Sequence, residues 1–129
     1  MAGLYRHITA SRENGTLVLT IDLEQVKDYI VAEELRYELC HAAKRASCDQ
    51  IVLDLRNMRF MTSLACHAFL GLRNGVRDRH PRIVLCNMAP FIRKVFEAKR
   101  LLTPSPTTGR VTFEAVDTLE EALELFVET

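Results

Sequence analysis

Short runs of apolar residues recur along the chain and predict five β-strands. They are YRHITAS (5–11), TLVLTID (16–22), QIVLDL (50–55), RIVLC (82–86) and RVTFEAV (110–116). The first two runs flank the Asn14-Gly15 pair, which is a strong signal for a hairpin turn. The third and fourth are almost continuously apolar, as strands of a parallel sheet covered on both faces are.

Between and after these runs, apolar residues at helical spacing predict four helices. The first spans residues 29–47, with Leu35, Leu39, Ala42 and Ala46 in one stripe. The second follows Ser63 and has an apolar side made of Leu64, Ala65, Ala68, Phe69, Leu72 and Val76. The third begins at Pro90, a residue favoured at helix starts, and carries Phe91, Ile92, Val95 and Phe96. The fourth, DTLEEALELFVE, has a Thr118-x-x-Glu121 capping box and points Leu119, Ala122, Leu123 and Phe126 inward.

The order β-β-α-β-α-β-α-β-α predicts an α/β fold in which helices pack on a mixed, mostly parallel sheet. The chain has 129 residues, so we expect one domain over 1–129 with a substantial core. Hydrophobic residues make up 48% and charged residues 26%, which excludes a disordered or fibrous chain.

Seventeen basic and seventeen acidic residues give a net charge of zero, so the total charge implies no polyanionic partner. The distribution is uneven. Arg73 to Arg100 holds eight Lys/Arg against two acids, a local net of +6, whereas Val111 to Thr129 holds six acids and no base, a net of −6. The two segments either face each other or leave a basic patch that steers a partner.

The four cysteines show no CxxC spacing, which favours free thiols. We see no signal peptide and no apolar run long enough to span a membrane, so we expect a cytoplasmic protein. The adjacent pairs Cys66-His67 and Cys40-His41 cannot chelate one metal, because neighbours on a helix point about 100° apart. No phosphate-binding glycine motif is present, so we expect no cofactor and no metal. The arginines near Arg77 lack interleaved aromatics, which argues against nucleic acid.

Thr62 and Ser63 precede the second helix, and three interpretations of these hydroxyls are open. A hydroxyl in that position caps free backbone N–H groups, worth ~1 kcal/mol. The same geometry suits phosphorylation, because a phosphoserine carries roughly −1.5 to −2 charges and would face the positive end of the helix dipole. A catalytic serine is a third alternative, with His67 one turn away as its base.

Three segments together resemble the STAS domain of anti-sigma factor antagonists. They are IVLDLRNMRFMTSLACHAFLGLRN, RIVLCNMAPFIRKVFEAKRLL and FEAVDTLEEALELF. The resemblance implies a single α/β domain without catalysis that binds an anti-sigma factor acting also as a serine kinase. In that family, phosphorylation of the serine at the helix start switches binding off, and a phosphatase restores it.

Aligned from Phe60, the family's serine falls on Ser63, with Thr62 as second choice. The implied partner surface comprises Arg56, Arg59, Thr62, Ser63, Leu64 and His67. The chain departs from the family at Thr62, where an acid is usual, at Leu64-Ala65, where Ser-Gly is usual, and at His67, where a glycine is usual. The resemblance therefore supports the family's fold more strongly than it supports the family's regulation by phosphorylation.

Two alternatives stay open. The first alternative is a constitutive STAS adaptor in a larger signalling or lipid-transport assembly. The second is a small enzyme that uses Cys66, His67 or Ser63. The oligomeric state is also open, a homodimer included.

Overall fold

The computed structural model describes residues 5–127. The strands are β1 Ile8–Glu13, β2 Thr16–Ile21, β3 Gln25–Val26, β4 Gln50–Asp54, β5 Phe60–Met61, β6 Arg82–Cys86 and β7 Glu114–Ala115. The helices are α1 Tyr29–Ala46, α2 Ser63–Gly75, α3 Pro90–Ala98 and α4 Leu119–Val127. The predicted class, a mixed and mostly parallel α/β sheet with four helices, is confirmed.

Five strands form the main sheet in the order β1-β2-β4-β6-β7. The hairpin pairs β1 and β2 antiparallel, and Asn14 and Gly15 at its turn both have positive φ, 53° and 83°. The next strands are parallel, with Leu19 opposite Leu53 and Leu53 opposite Leu85. All their carboxyl ends therefore lie at one edge of the sheet, and every helix starts from that edge.

The two faces of the sheet are covered unequally. Alternate residues such as Leu53 and Leu85 face the main core, which α1, α2 and α3 close through side chains including Leu35, Phe69 and Phe96. The residues between them, Val18, Val52, Val84 and Cys86, face α4 and pack against Ala122 and Phe126. Three helices thus cover one face, and α4 covers part of the other.

The structure contains two strands that the sequence did not predict and one strand that is much shorter than predicted. A short parallel pair, β3 with β5, was not predicted, because each strand has only two residues and buries only one of them, Val26 or Met61. The run predicted as RVTFEAV is a strand only at Glu114–Ala115. Its first half bonds to loops instead, since Phe113 N donates to Leu101 O at 3.1 Å.

Helix boundaries agree with the sequence within about two residues, which is the ordinary scatter of helix ends. Glu121 N donates to Thr118 Oγ1 at 3.1 Å, as the predicted capping box requires. Glu128, the end of the predicted fourth helix, lies outside the described residues. No helix between residues 5 and 127 is both long and apolar enough to cross a membrane.

The basic and acidic segments meet at one point. Arg82 binds Glu114 through two hydrogen bonds of 2.6 and 2.8 Å, and it is the only ion pair between these segments in the described chain. Glu120, Glu121 and Glu124 on α4 form no ion pair within the described residues. The two alternatives, segments that face each other and a basic patch that steers a partner, both stay predictions.

Candidate functional site at the start of α2

Thr62, not Ser63, caps helix α2. Its backbone is extended (φ −98°, ψ 176°), and its Oγ1 accepts the Leu64 N–H at 3.3 Å. Its carbonyl accepts the Ala65 N–H at 3.0 Å. The sequence left the cap open between Thr62 and Ser63, and the structure assigns it to Thr62, because the chain turns helical at Ser63 and the cap is the last extended residue before the helix.

Ser63 is the first residue of α2 and is exposed to solvent. Its hydroxyl has no hydrogen-bond partner among residues 5–127. The first turn of α2 contains no acidic residue, so the positive end of the helix dipole is not offset by a carboxylate there. The site therefore presents a free hydroxyl next to a partial positive charge.

Exposed apolar side chains lie at the same edge of the sheet. Phe60 in β5 and Phe91 in the first turn of α3 stack with their ring centroids 5.3 Å apart, and 40% and 46% of their surfaces are exposed. Leu64 is 37% exposed, and Tyr29 and Ile30 at the start of α1 are exposed as well. Five of the seven exposed large apolar residues thus surround the helix starts, and we call these five the apolar edge.

The sequence placed Leu64 and Phe91 on the apolar sides of their helices, yet both are exposed, Leu64 at a position where the resemblance implied a partner contact. A residue in the first turn of a helix has no preceding turn to cover, so its side chain lies over the helix end. Exposed apolar side chains gathered at one edge of a domain, such as the stacked Phe60 and Phe91, make that edge a candidate interaction surface.

Arg56 and Arg59 were both expected beside the serine, and only Arg56 forms an ion pair within the described residues. Arg56 donates to the buried Asp54 carboxylate from Nε (2.8 Å) and Nη2 (2.6 Å), and this hydrogen bonding raises the pKa of Arg56. Asp54 alternates with Leu53 and so lies on the sheet face that α4 covers, together with Cys86. Arg59 is exposed, and its side chain has no partner in the described chain.

The sequence model of the STAS domain matches residues 7–109. This chain belongs to the STAS domain family. It is 25% identical over 89 residues to an anti-sigma F factor antagonist of Paenibacillus polymyxa, covering 69% of this chain and 76% of that protein.

Solved structures of anti-sigma factor antagonists share the fold of this STAS domain. SpoIIAA in its unphosphorylated form superposes with a TM-score of 0.70 at 21% identity, covering 95% of this chain and 97% of that one. The Bacillus cell fate determinant SpoIIAA in its phosphorylated form gives a TM-score of 0.62 at 20% identity, covering 92% and 98%. The family resemblance read from the sequence is confirmed.

The residues of the enzyme alternative are not arranged as a catalytic site in this STAS domain. Cys66 is buried, and burial raises the pKa of its thiol, which disfavours the reactive thiolate. His67 is exposed on the next turn of α2 and forms no hydrogen bond with Ser63. Within the described residues, no three His, Cys, Asp or Glu side chains come together as a metal site needs.

Sequence reasoning missed most of the apolar edge. Phe60, Phe91, Tyr29 and Ile30 were not among the candidate site residues. The available signal was position, because each of them lies within the first turn of a helix or in the segment that leads into one. Their apolar character instead suggested core packing.

Proposed function

We propose that this STAS domain is a cytoplasmic anti-sigma factor antagonist. It binds an anti-sigma factor that is also a serine kinase, through the helix starts at the carboxyl edge of the sheet. Phosphorylation of Ser63 weakens that binding, and a phosphatase reverses it. One observation at the start of α2 supports the proposal: Thr62 caps the helix, so the Ser63 hydroxyl is exposed and forms no hydrogen bond in the described residues.

The free hydroxyl makes phosphorylation compatible with the fold. A phosphate on Ser63 replaces no internal hydrogen bond, and it is added where the α2 dipole favours a negative charge by ~0.3–1 kcal/mol. The folded state therefore accepts the modification, while roughly −1.5 to −2 charges appear on the surface.

The same charge is unfavourable for a partner that covers the apolar edge. Binding through Leu64 and the Phe60–Phe91 stack removes water from the neighbouring Ser63. A phosphate there must then be desolvated without a matched cation, which costs far more than burying a neutral hydroxyl. The relatives support this mechanism, because SpoIIAA has been solved in both an unphosphorylated and a phosphorylated form.

The departures from the family pattern define the competing adaptor function. Thr62 replaces the usual acid, which removes a carboxylate able to orient the phosphoacceptor or to contact a kinase. If the chain binds its partner constitutively, the apolar edge still serves as the contact surface, and Ser63 has no regulatory effect. Binding measurements on Ser63 variants separate the two functions.

The test uses the purified anti-sigma factor kinase from the same organism. Wild type and Thr62→Ala should each gain one phosphate by intact mass, and Ser63→Ala none. Ser63→Asp should lose binding by at least about tenfold, or ~1.4 kcal/mol, whereas Ser11→Asp, an exposed serine on β1, should bind as wild type does. Phe91→Ala should weaken binding without unfolding the chain, because the ring is 46% exposed.

Two outcomes contradict the proposal in different ways. Unchanged binding of Ser63→Asp would remove the switch and favour the adaptor. Phosphate on Ser63→Ala but not on Thr62→Ala would move the acceptor to Thr62.

A further inference from the structure

A surface cleft of about 830 Å³ lies at the amino ends of β6 and β7, the opposite edge of the sheet from Ser63. It is lined by Arg73 of α2, by the start of β6 and by the loop from Ser105 to Glu114. This volume falls within the ~300–1,000 Å³ typical of small-molecule sites. Its lining combines apolar surface, from residues such as Ile83 and Val111, with charged and hydroxyl side chains.

Positive charge in the cleft exceeds negative charge. Three guanidinium groups, of Arg73, Arg82 and Arg110, line it together with one carboxylate, that of Glu114. Arg82 already binds both oxygens of Glu114, at 2.6 and 2.8 Å. Two guanidinium charges therefore remain without a carboxylate partner in the described residues.

Arg73 is oriented by backbone carbonyls, and the one carboxylate that acts on its charge, Glu114, is hydrogen-bonded to Arg82 instead. Its Nε and Nη2 donate to Thr112 O at 3.2 and 2.8 Å, and its Nη1 donates to Pro81 O at 2.8 Å. These carbonyls orient the guanidinium but carry no full charge. Burial lowers the pKa of Arg73, so the charged form would gain from an anion beside it.

The loop adds hydroxyl donors to these cations. Ser105 Oγ accepts the N–H groups of Thr107 (3.2 Å) and Thr108 (3.4 Å), and Thr108 Oγ1 accepts the Arg110 N–H at 3.2 Å. Each oxygen is thus occupied as an acceptor, while neither O–H has an acceptor within residues 5–127. Gly109, between Thr108 and Arg110, has φ +73° and open space where a side chain would be.

We propose that this cleft binds the phosphate group of a small phosphorylated molecule. Arg73 and Arg110 supply charged N–H donors, which suit phosphate oxygens in number and geometry. Ser105 and Thr108 donate their hydroxyls, and Arg82 keeps Glu114 neutralised so that it does not repel the ligand. The site is distinct from the proposed phosphorylation at Ser63 and does not depend on it.

Inorganic phosphate is the probe, titrated into the full chain while backbone amide shifts are recorded by NMR. Potassium chloride is titrated in parallel at matched ionic strength. We expect saturable shifts between Ser105 and Thr112 with phosphate only. Arg110→Ala should weaken phosphate binding about tenfold or more, the effect of losing one charged hydrogen bond.

Arg77→Ala is the matched control. Arg77 is exposed near the same end of α2 but does not line this cleft, so its replacement should change affinity by less than about twofold. Arg110 makes no side-chain contact in the described chain, so its replacement tests binding and not folding. Shifts that fail to saturate, shifts that chloride reproduces, or equal weakening by Arg77→Ala and Arg110→Ala would overturn the proposal.

Discussion

Replacing Thr62 by alanine removes the oxygen that accepts the Leu64 N–H at the start of α2. Helix caps of this type are worth ~0.5–2 kcal/mol. The donor–acceptor distance of 3.3 Å is long for such a bond, so we expect Thr62→Ala to lower the free energy of unfolding by ~0.5–1 kcal/mol. For a chain of 129 residues this lowers Tm by about 2–4 °C.

Ser63 variants should change stability in the opposite direction. Ser63→Ala removes a hydroxyl without a partner and installs a better helix former, so we expect no loss and a gain of up to ~0.5 kcal/mol. Ser63→Asp should gain ~0.3–1 kcal/mol, because it places a carboxylate in a first turn that has none. That gain should shrink in concentrated salt, which screens exposed charges.

Urea denaturation followed by circular dichroism at neutral pH measures all three differences. The slope of unfolding free energy against urea should stay the same, since none of the changes alters the core. A loss in Ser63→Ala with none in Thr62→Ala would refute the capping assignment. It would also weaken the proposed switch, because a phosphate on Ser63 would then break the helix cap.

Three other variants, at Arg56, Arg59 and Cys86, test two further predictions. Arg56→Ala should lower the free energy of unfolding in urea by ~3 kcal/mol, because it leaves the buried Asp54 carboxylate without its cation. Arg59 is exposed and unpaired, so Arg59→Ala should change that free energy by no more than ~0.5 kcal/mol. Equal effects of the two variants would contradict the ion-pair reasoning. Burial, reinforced by Asp54, raises the pKa of Cys86 from its ordinary 9.0 to about 12. The folded chain keeps this proton where the unfolded chain loses it, so the stabilisation is present below pH 9 and is lost as the pH rises towards 12. Cys86→Ala should show a shallower loss of unfolding free energy over that pH range, and an identical slope would count against the assignment.

The fold was largely predictable because its strands carry strong local signals. QIVLDL and RIVLC are apolar on both faces, and the Asn14-Gly15 turn has the two positive φ values that such a pair favours. The β3–β5 pair escaped because two residues cannot show a periodicity. The first half of RVTFEAV has strand composition, yet Phe113 and Thr112 bond to Leu101 and Arg73 instead of to β6.

The site was less predictable than the fold for a specific reason. Hydrophobic periodicity identifies which side of a helix is apolar, but it does not show at which residue of the helix that side begins to pack against the core. Leu64 and Phe91 satisfy the period and yet lie in first turns that extend past the core. Similarly, adjacent hydroxyls at 62 and 63 both suit a cap, and only the backbone dihedrals distinguish the last extended residue from the first helical one.

Because every helix begins at one edge of the sheet, the short connections that lead into the helices lie side by side there. Those before α3 and α4 span only residues 87–89 and 116–118. They are bonded to the core and to each other, since the Asn87 amide donates to the buried Asp54, Asn87 N donates to Asp117 O and Val116 N donates to Leu85 O. An insertion there should therefore cost more than the closure entropy of a flexible loop, whereas substitution of an exposed side chain such as Phe91 changes the surface and leaves these bonds intact.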